Sequence, residues 1–423
     1  MKVPGRLLIA SYSYPPVADV GSLRTIKLSK YLVRLGWAVH IVSVRNPDVW
    51  RMLGPAEMPP GVAVTRTLDP IRLDRLGAAI RRVIVSRGHA GLRDRAGLGR
   101  RGVVVPEFQA GWLLTAAGAM TRVARRWRAT HLMGTGPPFS SLIAAAIAQR
   151  RTRLPFLADL QDSWTIHPDT RYPTRAHRAL DGDLERLVWE RATEVTVMTD
   201  TVAKRYAAKY PAWASKIQIL PNGFDPEDLP TAAVERTGPF RVVYTGSFYP
   251  HSPPSTLLAS VERLVKAGEA SPSSLQVEFL GRPEDPIRQE IEGRGLGGIV
   301  HQRGFRPLRE AVASAARADL LYLLIPAHFG EALADKMFTY LATGNPILAE
   351  TPEGETRAFL REWSDRVSVV VPGDVDGMVT ALRDALRAGR RPLAPSPKLC
   401  AFRDAFNRET QARRLSDVLE AMA

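Results

Sequence analysis

One stretch of the chain, residues 331–349, places a lysine inside a helical pattern that leads to a short apolar strand; it reads EALADKMFTYLATGNPILA. If the start of that helix faces a ligand, its free N–H groups, its dipole and Lys336 can together hold a phosphate. Glu331, five residues earlier, lies near the helix start, where a carboxylate is favoured. The alternative is a lysine exposed on an ordinary surface helix.

A loop near the start of the chain, SYSYPPVADVGSLRT at residues 11–25, follows a predicted strand and enters a predicted helix. Gly21 lets the backbone approach a ligand closely, and Ser22 can cap a helix that is predicted to begin at Leu23. With Arg24 in its first turn, this helix end is a candidate phosphate site. A plain connection between a strand and a helix explains the same residues.

A second loop, YTGSFYPHSPP at residues 244–254, repeats this arrangement with Gly246 and Ser247. Two such loops facing each other can hold a diphosphate, although His251 is the only potentially cationic side chain of the second loop. Neither loop has the GxGxxG spacing, and the chain contains no P-loop motif. The glycines therefore predict a phosphate contact without identifying a nucleotide.

Two acids, Asp159 and Asp162, follow a predicted strand in LADLQDSW, residues 157–164. An acid at the carboxyl end of a strand in an α/β domain commonly faces the ligand crevice, but Asp162 can equally cap a turn. Asp162 is therefore a candidate contact to a ligand in that crevice. Trp164 can either stack on a sugar face or close the core.

The composition indicates a reducing compartment and more than one domain. The chain has 423 residues, whereas single cores rarely grow beyond about 250–300 residues. One cysteine cannot form an intrachain disulfide, and the eight histidines show no metal-ligand spacing. No segment resembles a signal peptide or a membrane-spanning run of about 20 apolar residues. We therefore expect a cytoplasmic protein without a bound metal.

Positive charge is concentrated in one part of the chain. The net charge is +15, and residues 71–130 hold thirteen arginines against three acidic residues, a local charge of +10. Such a stretch can bind an anionic membrane surface or a polyanionic ligand. It can also be a solvated face. It lacks interleaved aromatic residues and zinc-finger or helix-turn-helix spacing, which argues against nucleic acid.

Short β-rich runs alternate with helical patterns in two successive series, which is typical of parallel α/β domains. The predicted strands are 6–12, 39–44, 62–68, 130–136, 155–161 and 194–199 in the first series, and 240–246, 275–281, 299–305, 319–326 and 367–372 in the second. The predicted helices include 75–86 and 112–127, and the turn-rich segment 219–230 is the predicted connector. Ligands should bind at the carboxyl ends of the strands, in a crevice between two doubly wound domains.

Five segments that follow one another along the chain carry a family resemblance: YPPVADVGSLRTIKLSKYLVRLGWAVHIVSV, GTGPPFSSLIAAAIAQRRTRLPFLADLQDSW, LPNGFD, VVYTGSFY and KMFTYLATGNPILA. Together they cover most of the chain and resemble the retaining GT-B glycosyltransferases of family 4, in the glycogen-synthase-like superfamily. The resemblance implies two Rossmann-like domains facing a cleft: an acceptor domain, residues 1–222, and a nucleotide-sugar donor domain, residues 223–402. A final helix, about 403–423, would cross back to the first domain.

The resemblance also implies roles for individual residues. The donor side comprises Gly21, Gly246, Ser247, Lys336, Thr339 and Tyr340, and the acceptor side comprises Arg24, Asp162 and Trp164. Lys336 would hold the diphosphate and Glu331 would orient the donor sugar, so that these two residues and Asp162 form the predicted catalytic set. Such enzymes generally need no metal, because helix dipoles and basic side chains neutralise the departing diphosphate. Many are peripheral to the inner membrane through a basic first domain.

The chain departs from the family pattern at three places. The second of two family glutamates, which would hold the nucleotide ribose, falls on Thr339. The Arg and Lys that usually follow the first strand of the second domain are absent from residues 244–254. Gln161 stands where many relatives have a catalytic-site histidine or arginine.

The sequence thus predicts a metal-independent, hexosyltransferase-like enzyme of polysaccharide or glycoconjugate biosynthesis. It would transfer a sugar, with retention, from a UDP-, GDP- or dTDP-sugar to a saccharide, lipid-linked or small-molecule acceptor. Three alternatives stay open: a catalytically lapsed GT-B protein that binds sugars or a partner, another GT-B enzyme such as a nucleotide-sugar epimerase, and a polyanion-binding protein that uses the arginines of residues 71–130.

Overall fold

A computed structural model describes the chain over residues 4–16, 20–46, 56–73, 104–168, 170–231, 236–248, 252–327, 333–390 and 395–423. The chain divides into two compact units. The first comprises Met1–Pro221 together with Gln411–Ala423, and the second comprises Asn222–Thr410. None of the helices in the described ranges has the length and apolar character needed to cross a membrane.

The first unit is built on seven parallel strands. They are β1 (Arg6–Ala10), β2 (Ala38–Val44), β3 (Val62–Thr67), β4 (His131–Gly136), β5 (Phe156–Leu160), β6 (Glu194–Val197) and β7 (Ile217–Ile219). Its described helices include α1 (Val20–Arg34), α2 (Leu113–Arg126), α3 (Ser140–Thr152), α4 (Arg175–Arg191) and α5 (Asp200–Lys209). The sheet order is β3-β2-β1-β4-β5-β6-β7. The order reverses between β1 and β4, the position at which doubly wound sheets bind ligands.

The second unit repeats this plan with six parallel strands. They are β8 (Phe240–Thr245), β9 (Leu275–Leu280), β10 (Val300–Gln302), β11 (Leu320–Leu324), β12 (Ile347–Glu350) and β13 (Val367–Val370). Its described helices are α6 (Ser255–Lys266), α7 (Asp285–Gly293), α8 (Leu308–Ala316), α9 (Asp335–Thr343), α10 (Glu355–Trp363), α11 (Val375–Ala388) and α12 (Pro397–Phe406). The sheet order is β10-β9-β8-β11-β12-β13.

Helices cover the central strands of both sheets, and this burial explains their apolar runs. Every residue of β4, β5 and β11 is buried, as expected for parallel strands covered on both faces. The last helix, α13 (Arg408–Ala421), contributes to the core of the first unit. Its buried Leu415 and Leu419 lie in one apolar cluster with Leu28 and Leu32 of α1.

The structure confirms the predicted fold class and the strands of both series, whose ends lie within three residues of the predicted ends. Four of these strands and helices were not predicted: the short strand β7 and the helices α4, α5 and α10. Helix α1 begins at Val20 and not at Leu23, so Arg24 lies one turn inside the helix. The predicted helix 75–86 lies outside the described residues.

Candidate functional site

Lys336 lies in the first turn of α9, and its ammonium group contacts an aromatic side chain of β8. The Nζ atom donates a 2.7 Å hydrogen bond to the Tyr244 hydroxyl and lies 3.9 Å from the centre of the Tyr244 ring. The Tyr244 ring stacks on Phe248, with ring centroids 4.1 Å apart. Because a cation is attracted to an aromatic face, this contact stabilises the lysine at the carboxyl end of β8.

The loop after β8 leaves room for this ammonium group. Gly246 has φ +114°, which L-residues rarely adopt, and a side-chain carbon added there would lie 2.7 Å from the Lys336 Nζ. The Ser247 carbonyl accepts a 3.3 Å hydrogen bond from the Tyr244 hydroxyl. Both loop residues are exposed, so a ligand can reach them.

The contribution of Gly246 differs from the predicted one. Its N–H donates to the Leu280 carbonyl at 2.7 Å, so this group is already bonded within the sheet and is not a free donor for a phosphate. The glycine contributes by the absence of a side chain, which leaves space for the ammonium of Lys336.

Tyr340 is structural, in place of its predicted contact with the donor. It is fully buried, and its hydroxyl accepts a 2.7 Å hydrogen bond from the Thr245 N–H. This bond ties α9 to the end of β8 and so helps to fix Lys336 over its aromatic partner. Thr339 is partly exposed on the same helix, and its role stays a prediction. Glu331 lies outside the described residues.

The surroundings of Lys336 disfavour its charge. Burial lowers the pKa of its ammonium group from 10.5 to about 7. The side chain as a whole is partly exposed, so a solute can approach although the nearest groups are a phenol and a glycine. An anion that binds beside this lysine would stabilise the charged form, and the arrangement therefore suits a phosphate or diphosphate.

A buried carboxylate lies beneath this layer of aromatic rings. Glu350, at the end of β12, is 3% exposed and accepts hydrogen bonds from the hydroxyls of Thr256, at 2.6 Å, and Tyr322. The Tyr322 ring lies 6.0 Å from the Tyr244 ring. Because Glu350 has its partners inside the fold, it joins α6, β11 and β12.

In the first unit, Arg24 forms a buried ion pair with Asp159, in place of its predicted contact with an acceptor. The two side chains are 2% and 1% exposed, and the guanidinium donates two hydrogen bonds of 3.0 and 3.2 Å to the carboxylate. The same guanidinium donates to the carbonyls of Leu220 and Pro221 at 2.9 and 3.0 Å. Arg24 therefore fixes the segment that follows β7 and is structural.

Three more side chains join this ion pair. The hydroxyls of Thr135 and Thr196 donate to the Asp159 carboxylate at 2.7 and 2.8 Å. Gln161 donates from Nε2 to the Thr135 hydroxyl at 2.7 Å and to the Gly21 carbonyl at 3.1 Å. We call Arg24, Asp159, Thr135, Thr196 and Gln161 the Arg24 network. It fixes the first turn of α1, where Gly21 is predicted to contact the donor.

The two remaining acceptor-side candidates have different surroundings. Asp162 is partly exposed after β5, and its contact with an acceptor stays a prediction. Trp164 is 2% exposed, stacks on Phe139 with centroids 4.5 Å apart, and donates from Nε1 to Asp181 at 2.9 Å. Of its two predicted roles, the structure shows that Trp164 closes the core.

The sequence patterns did not predict a functional role for Tyr244. It lies 92 positions before Lys336, and nothing in the spacing of either segment links the two side chains. A tyrosine directly before the Thr-Gly turn of β8 was the available signal. In the ranges that the structure describes, no three His, Cys, Asp or Glu side chains form a group able to hold a metal ion.

Comparisons with known proteins extend this picture. Residues 23–223 match the model of the glycosyl transferase 4-like domain. No curated protein sequence matches the chain. Among solved structures, a glycosyltransferase from Rickettsia africae ESF-5 has a TM-score of 0.68 at 11% identity, over 99% of this chain and 98% of that one.

Two further solved structures are similar over nearly their whole length. Sucrose-phosphate synthase from Thermosynechococcus elongatus has a TM-score of 0.66 at 16% identity, over 98% of both chains. HepE from Anabaena, in complex with UDP and glucose, has a TM-score of 0.64 at 14% identity, over 98% of this chain and 99% of that one. At these identities the likeness shows the fold.

These matches place the chain in a class. It has the GT-B fold of glycosyltransferases. Its residues 23–223 match the glycosyl transferase 4-like domain, which confirms the resemblance to family 4 that its sequence segments carry.

The buried ion pair of the Arg24 network predicts a large effect on stability. Arg24→Ala should lower the free energy of unfolding by about 3–5 kcal/mol, because it leaves the Asp159 charge buried without its ionic partner. Urea unfolding followed by tryptophan fluorescence measures this effect in the first unit, since Trp363 is the only one of the eight tryptophans in the second.

Arg186→Ala is the matched control for this experiment. Arg186 forms an exposed ion pair with Glu190 on α4, where the side chains are 64% and 41% accessible. An exposed pair contributes at most about 1 kcal/mol, so this variant should unfold close to the wild type. Equal unfolding midpoints for the two variants would contradict the structural role of Arg24.

Proposed function

We propose that the chain is a metal-independent glycosyltransferase that moves a hexose, with retention, from a nucleotide-sugar donor to a saccharide, lipid-linked or small-molecule acceptor. Its products would belong to polysaccharide or glycoconjugate assembly. The observation that carries the proposal is the ammonium group of Lys336, which lies beside the exposed Gly246–Ser247 loop at the carboxyl end of β8. The complexes of HepE with UDP and glucose and with UDP-glucose support a nucleotide sugar as the donor.

The proposed chemistry is electrostatic. When the bond between the anomeric carbon and the diphosphate oxygen breaks, the electron pair leaves with the diphosphate, and negative charge grows on its oxygens. A preorganised cation at that position stabilises the transition state more than the ground state. Lys336 takes this role, and Glu331 orients the donor sugar. Thr339 takes the place of the family glutamate that would hold the donor ribose, and Gly21 and Asp162 are the proposed contacts of the first unit.

The donor can be identified by thermal shift with a panel of UDP-, GDP- and dTDP-sugars, because a ligand that binds only the native state raises its stability.

Lys336→Ala should weaken donor binding and lower the kcat/KM of transfer by about 10- to 100-fold, the range expected for the loss of a charge-assisted hydrogen bond. Binding is measured by calorimetry, and transfer by detection of the glycosylated product.

Lys266→Ala is the matched control, because it removes the same charge from an exposed position on α6 of the same unit. It should leave binding and transfer unchanged. Normal transfer by Lys336→Ala at subsaturating donor would refute the assignment of the lysine. Absence of a shift with every donor would favour the catalytically lapsed alternative, and nucleotide release without a glycosylated product would favour an epimerase.

We also propose that the first unit contacts anionic membrane at the inner face of the cell membrane. Three large apolar side chains within the basic stretch or just before it are more than half exposed: Leu68, Ile71 and Leu114. They are neighbours, since the Thr115 hydroxyl donates to the Leu68 carbonyl and a side-chain carbon added at Gly111 would lie 2.9 Å from the Ile71 Cβ. Apolar side chains flanked by arginines suit an interface of acyl chains and anionic headgroups.

Vesicle sedimentation tests this contact. The wild type should sediment with phosphatidylglycerol vesicles and not with phosphatidylcholine vesicles, and Leu114→Glu should reduce the bound fraction several-fold. Leu180→Glu is the control, because Leu180 is similarly exposed on α4 of the same unit. Equal binding of both vesicle types, or equal loss in both variants, would contradict the proposal. Salt-dependent binding to DNA but not to vesicles would favour the polyanion-binding alternative.

A further inference from the structure

The loops after β8 and β9 form one continuous surface. The two strands are parallel neighbours, with Thr245 opposite Leu280, so their following glycines meet at the same edge of the sheet. A side-chain carbon added at Gly281 would lie 2.1 Å from the Gly246 carbonyl oxygen and 3.0 Å from the Ser247 backbone nitrogen. Because no side chain fits between them, the two loops are in direct backbone contact.

The residue that follows Gly281 is an arginine bonded to the first loop. The Arg282 N–H donates a 3.1 Å hydrogen bond to the Ser247 hydroxyl, and Arg282 is exposed. Pro283 comes next, and a residue before proline is restricted to extended conformations. Lys336 meets the same loop at Gly246, so the two cationic residues contact successive positions of it.

Asp285, three residues after Arg282, pairs with another arginine: its carboxylate lies 3.4 Å from the Arg288 guanidinium. The backbone N–H of Glu284 donates to the Gln302 side chain at 2.8 Å. The buried Glu350 is bonded inside the fold. The exposed Gly246–Ser247 surface is therefore flanked by Lys336 and Arg282.

We propose that Arg282 is a second anion-binding residue of the donor site and contacts the diphosphate of the nucleotide sugar together with Lys336. This inference rests on the proposed function. The described residues of the Gly246–Ser247 loop include no cationic side chain. Arg282, which follows β9, would provide one.

The chemistry of the two side chains makes the pair complementary. The pKa of Lys336 is lowered to about 7 by burial, so its charge alone is incomplete at neutral pH. A guanidinium stays protonated throughout this range, and its planar fork matches two phosphate oxygens. Arginine therefore provides permanent charge and bidentate geometry, while lysine provides a charge that develops when the anion binds.

Inorganic pyrophosphate is the probe that tests this proposal, because it contains the diphosphate without base, ribose or sugar. Calorimetric titration of the full chain should show binding by the wild type and at least about 10-fold weaker binding by Arg282→Ala, the effect of a lost charge-assisted contact. Arg282→Lys should bind with intermediate affinity, because it keeps the charge but loses the fork.

Arg288→Ala is the matched control: it removes the same charge from an exposed position six residues away and should change the affinity less than twofold. Equal affinities of Arg282→Ala and the wild type, or no pyrophosphate binding by the wild type, would overturn the inference.

Transfer assays separate this inference from the proposed function. Pyrophosphate binding that depends on Arg282 without any sugar transfer would refute the function alone, whereas normal transfer by Arg282→Ala would refute the inference alone.

Discussion

The contact on which the candidate site depends is the one between the Lys336 ammonium group and the ring and hydroxyl of Tyr244. Moving an ammonium out of water is unfavourable, and the contact offsets part of this cost through the ring face and one hydrogen bond. Glycine suits position 246 because its φ of +114° is one that L-residues rarely adopt and because a side-chain carbon there would lie 2.7 Å from the ammonium nitrogen. Tyr340 is required because its bond to Thr245 fixes α9 against β8. A lysine in these surroundings can take up a proton and become charged when an anion binds.

The first unit depends on a different electrostatic arrangement. Its central ion pair, Arg24 with Asp159, is satisfied by protein groups from α1, β4, β5, β6 and the segment after β7. A buried pair of this kind contributes little net stability compared with an apolar core, but loss of one partner is costly. Its effect is to fix the positions of Gly21 and the segment after β7. The charge of Arg24 is thus neutralised by the buried Asp159, whereas the ammonium group of Lys336 lies beside an exposed loop.

Much of the fold could be predicted because a buried parallel strand is recognisable in the sequence as a short β-rich apolar run bounded by turn residues. Strand β7 has only three residues, which is too short for such a run to be recognised, and it adjoins the turn-rich connector. Lys336 and Gly246 could be found from local patterns. The pairing of Lys336 with Tyr244 could not, nor could the burial of Arg24 against Asp159, which lies 135 residues away. Both contacts depend on which strands become neighbours in the sheet, and that information is not local.

Proton uptake on UDP binding is the measurement that tests the central claim most directly. With a pKa of about 7, Lys336 is mostly neutral at pH 8 in the free protein. A bound diphosphate favours its charged form and raises the pKa, so binding should take up about one proton, and affinity should fall as the pH rises above 7. Calorimetry at pH 8 in buffers of different ionisation enthalpy should show this uptake in the wild type and not in Lys336→Ala. UDP binding without proton uptake, or with the same uptake in both proteins, would contradict the account.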